Sequence, residues 1–206
     1  MVNSQSDLLV LSFGFAAWAV LHSYTASNNV KIIAERLFGH AWLDKWYRLT
    51  YNLFAAVSFL PVMWLVFILK GSEIYSLTGW LVWFARIVQA AMAIFLMSAV
   101  SQTGFARFIG FVPQSAGSTT EKTQGFVQDG AYAWVRHPIY TTSLIALWIS
   151  PSMTSSSLLF CVLVTLYILI GIQFEERRLQ REFGEVYTEY KKKEPMLIPF
   201  TKISRS

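Results

Sequence analysis

Apolar residues gather into long runs separated by shorter polar stretches, and the run lengths set the expected architecture. Residues 7–22, 49–69 and 79–100 carry almost no charge and approach or exceed the roughly 20 residues a helix needs to cross a bilayer core. Each is read as a membrane span. Residues 138–150 form a shorter apolar helix, roughly 20 Å at 1.5 Å per residue and too short alone for a full crossing. After a turn at Pro151 and Ser155-Ser156-Ser157, residues 158–174 return as a longer one, so these last two are expected to pair as a helical hairpin. Beyond them Leu179, Phe183, Val186, Tyr187 and Tyr190 recur at three- and four-residue steps, the mark of an amphipathic helix, which Pro195 ends. The expectation is an all-α integral membrane protein of about five membrane helices with an amphipathic C-terminal helix, forming one domain over residues 1–206.

The polar stretches refine this map. Residues 23–48 mix Lys31, Arg36, Lys45 and Arg48 with Trp42, Trp46 and Tyr47, a blend suited to the headgroup level. Pro61 lies inside the second span and is expected to kink it, and Lys70-Gly71-Ser72 bounds that span. Arg86 and Gln89, three apart, share a face of the third span, and Arg86 is read as snorkelling. Residues 101–137 read as a long polar loop punctuated by glycines, within which Gln114–Gln124 reads as a surface connector.

Composition supports the membrane reading: 54% of residues are hydrophobic and only 14% charged, against about 25% charged in soluble domains. Charge then orients the chain. If residues 23–48, 101–137 and 175–206 share one side, that side holds all the Lys and Arg except Lys70 and Arg86. The positive-inside rule makes it the cytoplasm, leaving the N-terminus outside and the C-terminus inside. The net charge of +5 therefore meets anionic lipid headgroups, and nucleic-acid binding is not expected. Residues 1–6 hold no Lys or Arg, so a cleaved signal peptide is not expected either. Cys161 lies in an apolar run and is read as a buried residue; with His22, His40 and His137 scattered, no metal site is expected.

Candidate chemistry concentrates at residues 130–140. Proline suits a first helical position, so a helix is expected to begin at Pro138. Arg136 and His137 then flank a helix N-terminus that favours anions. The two ends of the hairpin face one side, which brings Arg136, His137 and Tyr140 towards Glu175, Glu176 and Arg178. A zwitterionic, adenosine-bearing ligand needs an Arg or helix N-terminus for its carboxylate, a Glu for its amine or ribose hydroxyls, and aromatics for its ring. The same residues also serve as solvated anchors at many membrane boundaries.

The block Gly130-x-Tyr132-x-x-x-Arg136-His137-Pro138-x-Tyr140 is followed by Glu175-Glu176-x-x-Leu179-x-x-x-Phe183-Gly184-x-x-Tyr187-x-x-Tyr190 and Ile198-Pro199. Together they resemble the isoprenylcysteine carboxyl methyltransferase superfamily. The earlier words His22-Ser23, Ala26, Lys31, Arg36 and Arg48-x-x-Tyr51 are similar to its branch of bacterial NnrU-like proteins and methanethiol S-methyltransferases. The resemblance implies a bacterial inner-membrane enzyme with an S-adenosylmethionine pocket at the cytoplasmic face. It implies cofactor contacts by Tyr132, His137, Pro138, Tyr140, Glu175 and Tyr187, with Arg136 and Arg178 beside the reacting group. His22, at the end of the first span, reads either as an interfacial residue or as a substrate contact.

The resemblance further implies methylation of a small or lipophilic thiol, with the thiolate as nucleophile and Arg136 or His137 lowering the thiol pKa. Carboxyl methylation of an isoprenylcysteine-like acceptor is the alternative, and a non-catalytic membrane partner protein is a third reading. A nicotinamide-dependent sterol reductase would need more spans, and no Gly-x-Gly-x-x-Gly fingerprint is present. Oligomeric state is not legible in the sequence.

Overall fold

The computed structural model describes residues 4–69, 71–112 and 127–201, with the side chains of Ser4, Arg107 and Phe108 excepted. Lys70 and the Gln114–Gln124 connector lie outside the described residues. Four helices are long and apolar enough to cross a membrane: α1 (Ser4–Thr25), α3 (His40–Ile68), α4 (Trp80–Gln102) and α7 (Ser155–Phe183). Shorter helices are α2 (Asn28–Phe38), α5 (Phe105–Ile109), α6 (Pro138–Trp148) and α8 (Glu185–Lys193). Large apolar side chains such as Phe13, Val20, Leu53, Phe67, Trp83, Ile94 and Phe174 are exposed along the four long helices. An aqueous monomer does not leave so much apolar surface bare, whereas lipid tails accept it. The protein is a largely helical integral membrane protein.

Two short strands depart from the all-α expectation. β1 (Glu73–Ser76) and β2 (Ser152–Thr154) pair antiparallel, with Tyr75 opposite Met153 and Ser76 opposite Ser152. They occur where the chain leaves helical geometry near the ends of α3 and α7, and pairing satisfies backbone groups that would otherwise need water. The backbone N–H of Ser155 continues the contact to the Ser72 carbonyl at 2.9 Å.

The chain sorts into two compact units, each built from several segments, with residues 155–164 of α7 in the first and its remainder in the second. In the first unit α1 and α3 pack antiparallel: Trp18 meets Phe59, His22 meets Tyr51, and the Tyr47 hydroxyl donates to the Thr25 carbonyl at 2.6 Å. Phe160 of α7 closes the same layer against Phe15 and Phe59. α2 joins it through buried Ala34 and leaves Ile32, Ile33, Leu37 and Phe38 exposed, as suits an interfacial helix. α3 runs unbroken through Pro61. Part of the expected 101–137 loop is helical, since α5 occupies it and the Asn52 amide holds the Ile109 carbonyl at 2.8 Å.

The second unit is arranged around α4 and α6. Gln102 accepts from the Ala131 N–H at 3.1 Å, Gln89 donates to the Ala146 carbonyl at 3.1 Å, and Leu77 N–H donates to the Pro151 carbonyl at 2.7 Å. Residues 131–151 therefore run antiparallel along the length of α4. An α6 of 11 residues is too short for this path alone, and the non-helical residues beyond Trp148 cover the rest at a longer rise per residue. The backbone neighbour of α6 is thus α4. α7 meets α6 through side chains at both ends, Trp148 to Thr165 and His137 to Glu176. Gln89 also accepts from Arg86 at 3.1 Å, so the one-face reading of this pair holds and Arg86 has a partner on its own helix.

The amphipathic tail is not one helix. α7 continues to Phe183, Gly184 adopts φ +54°, and α8 starts afresh at Glu185. The break turns Val186, expected on the apolar face, out to solvent while Tyr187 and Tyr190 are buried.

A packing prediction follows from Gly110, which has φ +101° and whose added Cβ would fall 2.5 Å from the Leu49 nitrogen. Gly39 has φ +85° but open space around it. Gly110→Ala is expected to lower the melting temperature in detergent clearly more than Gly39→Ala, which bears only the backbone strain of about 1 kcal/mol. Equal shifts would show that the close approach at Gly110 is relieved at no cost.

Candidate functional site

Pro138 opens α6 at its first position, and His137 is the residue that caps it, with φ −126° and ψ 63°. Its imidazole makes no capping bond and turns instead towards α7, where it is buried between two successive carboxylates. Nε2 lies 3.4 Å from Glu176 Oε1 and Nδ1 lies 3.7 Å from Glu175 Oε2. Consecutive helical residues point about 100° apart. One histidine between them therefore touches both the packed and the open side of α7.

Glu176 lies on the packed side, one turn beyond fully buried Ile172. Arg136 grips it with Nε at 2.8 Å and NH2 at 2.7 Å from Oε1. Lys191 Nζ stands 3.2 Å from Oε2 and 5.9 Å from the Tyr187 ring centre. The remaining donors of Arg136 reach the main chain, NH1 donating to the carbonyls of Glu194 at 2.7 Å and Lys191 at 3.3 Å. The Arg136 and Glu176 side chains are each 11% exposed. A pair this buried demands full partnering, since each ion has given up its hydration.

The tail beyond α8 is strapped to the same corner. Arg136 N–H donates to the Pro195 carbonyl at 2.9 Å, His137 N–H to Met196 at 3.2 Å, and the Thr141 hydroxyl to Leu197 at 2.8 Å. From α8 the Tyr190 hydroxyl donates to the Tyr132 carbonyl at 2.7 Å. Burial first, and the charge of Glu176 second, raise the Tyr187 phenol above its ordinary range. Burial first, and the charge of Glu175 second, push the Tyr132 phenol up to about 12. Both phenols stay neutral at physiological pH.

On the open side Glu175 Oε2 is buried with no hydrogen-bond partner among the described residues. The ring of Tyr140 stacks on His137 with centroids 5.7 Å apart, its phenol hydrogen-bonds the Glu175 carboxylate, and the charge of Arg178 also reaches it. Arg178 is exposed and makes no ion pair among the described residues. Tyr132, Arg136, His137, Pro138, Tyr140, Glu175, Arg178 and Tyr187 thus all belong to the second unit. His22 belongs to the first. There its ring stacks on Trp18 at 4.9 Å, and Nε2 lies 3.0 Å from the Tyr51 hydroxyl.

Lys191 was not singled out from the sequence, and Glu176 was placed at this corner without its structural role. The four-residue step from Ile172 to Glu176 was the available signal, because it puts Glu176 on the buried stripe of α7. Lys191 sits in a run of three lysines that reads as a solvated tail.

The sequence profile of the phospholipid methyltransferase family matches residues 85–186, from α4 to the start of α8, which include Arg136, His137, Glu175 and Glu176 but not Lys191 or the tail strap. A methanethiol S-methyltransferase of Crocosphaera subtropica is 31% identical over 191 residues, 89% of this chain and 71% of that protein. This chain belongs to the methanethiol S-methyltransferase family. Methanethiol S-methyltransferase 2 of Bradyrhizobium diazoefficiens is 46% identical over 76 residues, 37% of this chain and 29% of that protein. The Mycobacterium tuberculosis methanethiol S-methyltransferase is 43% identical over 76 residues, 37% of this chain and 31% of that protein. The match to these last two spans under a third of their length. No solved structure matches the chain.

Within this family member, Arg136 holds Glu176 and the tail at once. Arg136→Ala is expected to strand a buried carboxylate and destabilise by about 3–5 kcal/mol. Thermal unfolding in detergent and protease cutting around residues 191–197 check it. Arg136→Ala/Glu176→Gln should recover part of the loss, and a single variant melting like the wild type would show the pair to be a surface contact.

Proposed function

We propose that this protein transfers the methyl group of S-adenosylmethionine to the sulfur of a small or lipophilic thiol at the cytoplasmic membrane face. The observation that carries the reading is the division at the His137 corner. Glu176 is fully engaged, while beside it the buried Glu175 Oε2 has no hydrogen-bond partner and the exposed Arg178 no ion pair among the described residues. Family membership supports S-adenosylmethionine as the ligand such a set suits.

The donor set fits that ligand. Glu175 offers an acceptor to an amine or to ribose hydroxyls, and the N-terminus of α6 after Pro138 offers backbone N–H groups to a carboxylate. Tyr132 and Tyr140 supply rings for an adenine, and Tyr187, expected beside the cofactor, is buried and backs the corner from behind. When bound, the sulfonium supplies an already activated methyl group, so little acid catalysis is called for. The chain's own task is alignment, and orientation of reactants can supply several kcal/mol of the barrier. Arg178 lies beside the acceptor and favours its thiolate. His137 is fixed between two carboxylates and keeps Glu175 in place. Arg136 acts through Glu176 and the tail, as a positioning residue.

Isothermal titration with S-adenosylhomocysteine checks the pocket. His137→Ala and Glu175→Ala should each weaken binding about tenfold or more, the size of one lost bond to a charged group. Arg178→Ala should lower thiol methylation with less effect on that affinity. Unchanged affinity in both pocket variants removes the site. Labelled methyl transfer to methanethiol and to prenylcysteine analogues separates thiol from carboxyl acceptors, and no transfer to either favours a non-catalytic partner.

The same reading places the protein in a bacterial inner membrane with its N-terminus outside, on the strength of where its Lys and Arg lie. Glu73→Cys is expected to react with an impermeant maleimide in intact cells, and Glu185→Cys only after permeabilisation. Buried Cys161 can stay in place. The reverse labelling pattern would invert the topology.

A further inference from the structure

Beside the corner, an open groove of about 650 Å³ runs along the outer face of α7 as it passes from its apolar to its charged part. Its walls are Phe174, Arg177, Arg181 and Lys191, with Gln173, Gln180 and Glu176 completing it. The charges in it do not balance. Glu176 is the only carboxylate among these residues, and Arg136 and Lys191 already hold it. Arg177 and Arg181, one turn apart, make no ion pair among the described residues, and Arg181 Nε is laid back 3.3 Å from the Arg177 carbonyl. Two guanidiniums one turn apart suit a phosphate, whose oxygens accept paired N–H bonds.

The apolar wall narrows the choice. Phe174 is 65% exposed and lies one turn before Arg177, on the side where the apolar run of α7 begins. A soluble anion would leave that ring in contact with nothing it prefers, whereas a lipid brings an acyl chain to the ring and a phosphodiester to the cations. The geometry points to a binding site for one anionic phospholipid, its phosphate held by Arg177 and Arg181 and its chain laid on Phe174. The site lies outside the proposed methyl-transfer corner and meets it only through Glu176 and Lys191. An anion in the groove draws on Lys191, so occupancy is felt by the Glu176 knot.

Native mass spectrometry of the purified full chain, titrated with phosphatidylglycerol, phosphatidylcholine or glycerol phosphate, tests this without reference to catalysis. Phosphatidylglycerol is expected to stay bound in preference to phosphatidylcholine, and glycerol phosphate at equal concentration should not displace it. Arg177→Ala/Arg181→Ala should weaken phosphatidylglycerol binding about ten- to thirtyfold, as expected of two cations facing an anionic headgroup. Lys192→Ala/Lys193→Ala, outside the groove, should change it less than threefold. A phosphatidylglycerol carrying a photoreactive headgroup should label residues 173–181 of the wild-type chain, which needs no variant to fold. Equal losses in the two double variants, displacement by glycerol phosphate, or labelling elsewhere would each overturn the site.

Discussion

The corner depends on one carboxylate that cannot be left alone. Glu176 follows the apolar run of α7 on its packed face, and a buried carboxylate in such a place is stable only with its partners fixed around it. Arg136 meets that demand from the turn before α6, Lys191 from α8, and His137 from the cap of α6. Because the guanidinium of Arg136 also takes main-chain carbonyls of residues 191 and 194, one ion pair ties three chain segments together. The Tyr190 bond and the backbone strap at 195–197 then follow from where this knot puts α8.

Satisfying one acid leaves its neighbour available. Glu175 points about 100° round the helix from Glu176 and shares with it only the imidazole of His137. Structural and chemical duties are thereby separated on adjacent residues. The pair that looks redundant in the sequence is a division of labour, with rigidity supplied by one carboxylate and an oxygen without a hydrogen-bond partner among the described residues, Glu175 Oε2, by the other. Arg136 and Arg178 divide in the same way, the first consumed by the fold and the second exposed.

Much of the architecture was legible because lipid imposes simple rules. α1 and α4 follow from apolar runs, α3 was seen as residues 49–69 without its charged start from His40, and α7 as residues 158–174 without its charged extension to Phe183. The extension was missed because charge was taken to end the membrane helix, whereas the backbone continues until Gly184 adopts a positive φ. β1 and β2 were hidden for another reason. Both are short, and residues 73–76 have no alternating pattern to announce a strand. They pair because chain leaving a helix near a membrane must find hydrogen-bond partners. The path of α6 was hidden too, since a helix of 11 residues implies a partial crossing until Leu77 is found bonded to Pro151.

The site was legible in its membership and not in its wiring. Spacing placed Arg136, His137, Glu175 and Glu176 at one corner, because the two helices that carry them must return to the same side. It could not say which glutamate Arg136 would choose, since that depends on the rotation of α7 about its own axis. Rotation is set by packing, and the step from Ile172 to Glu176 decides it: turning α7 far enough to offer Glu175 to Arg136 would expose Ile172 and bury Arg178 without a counter-ion. The apolar stripe of α7, through the cost of exposing it, thus selects which acid is structural and which is open to a ligand.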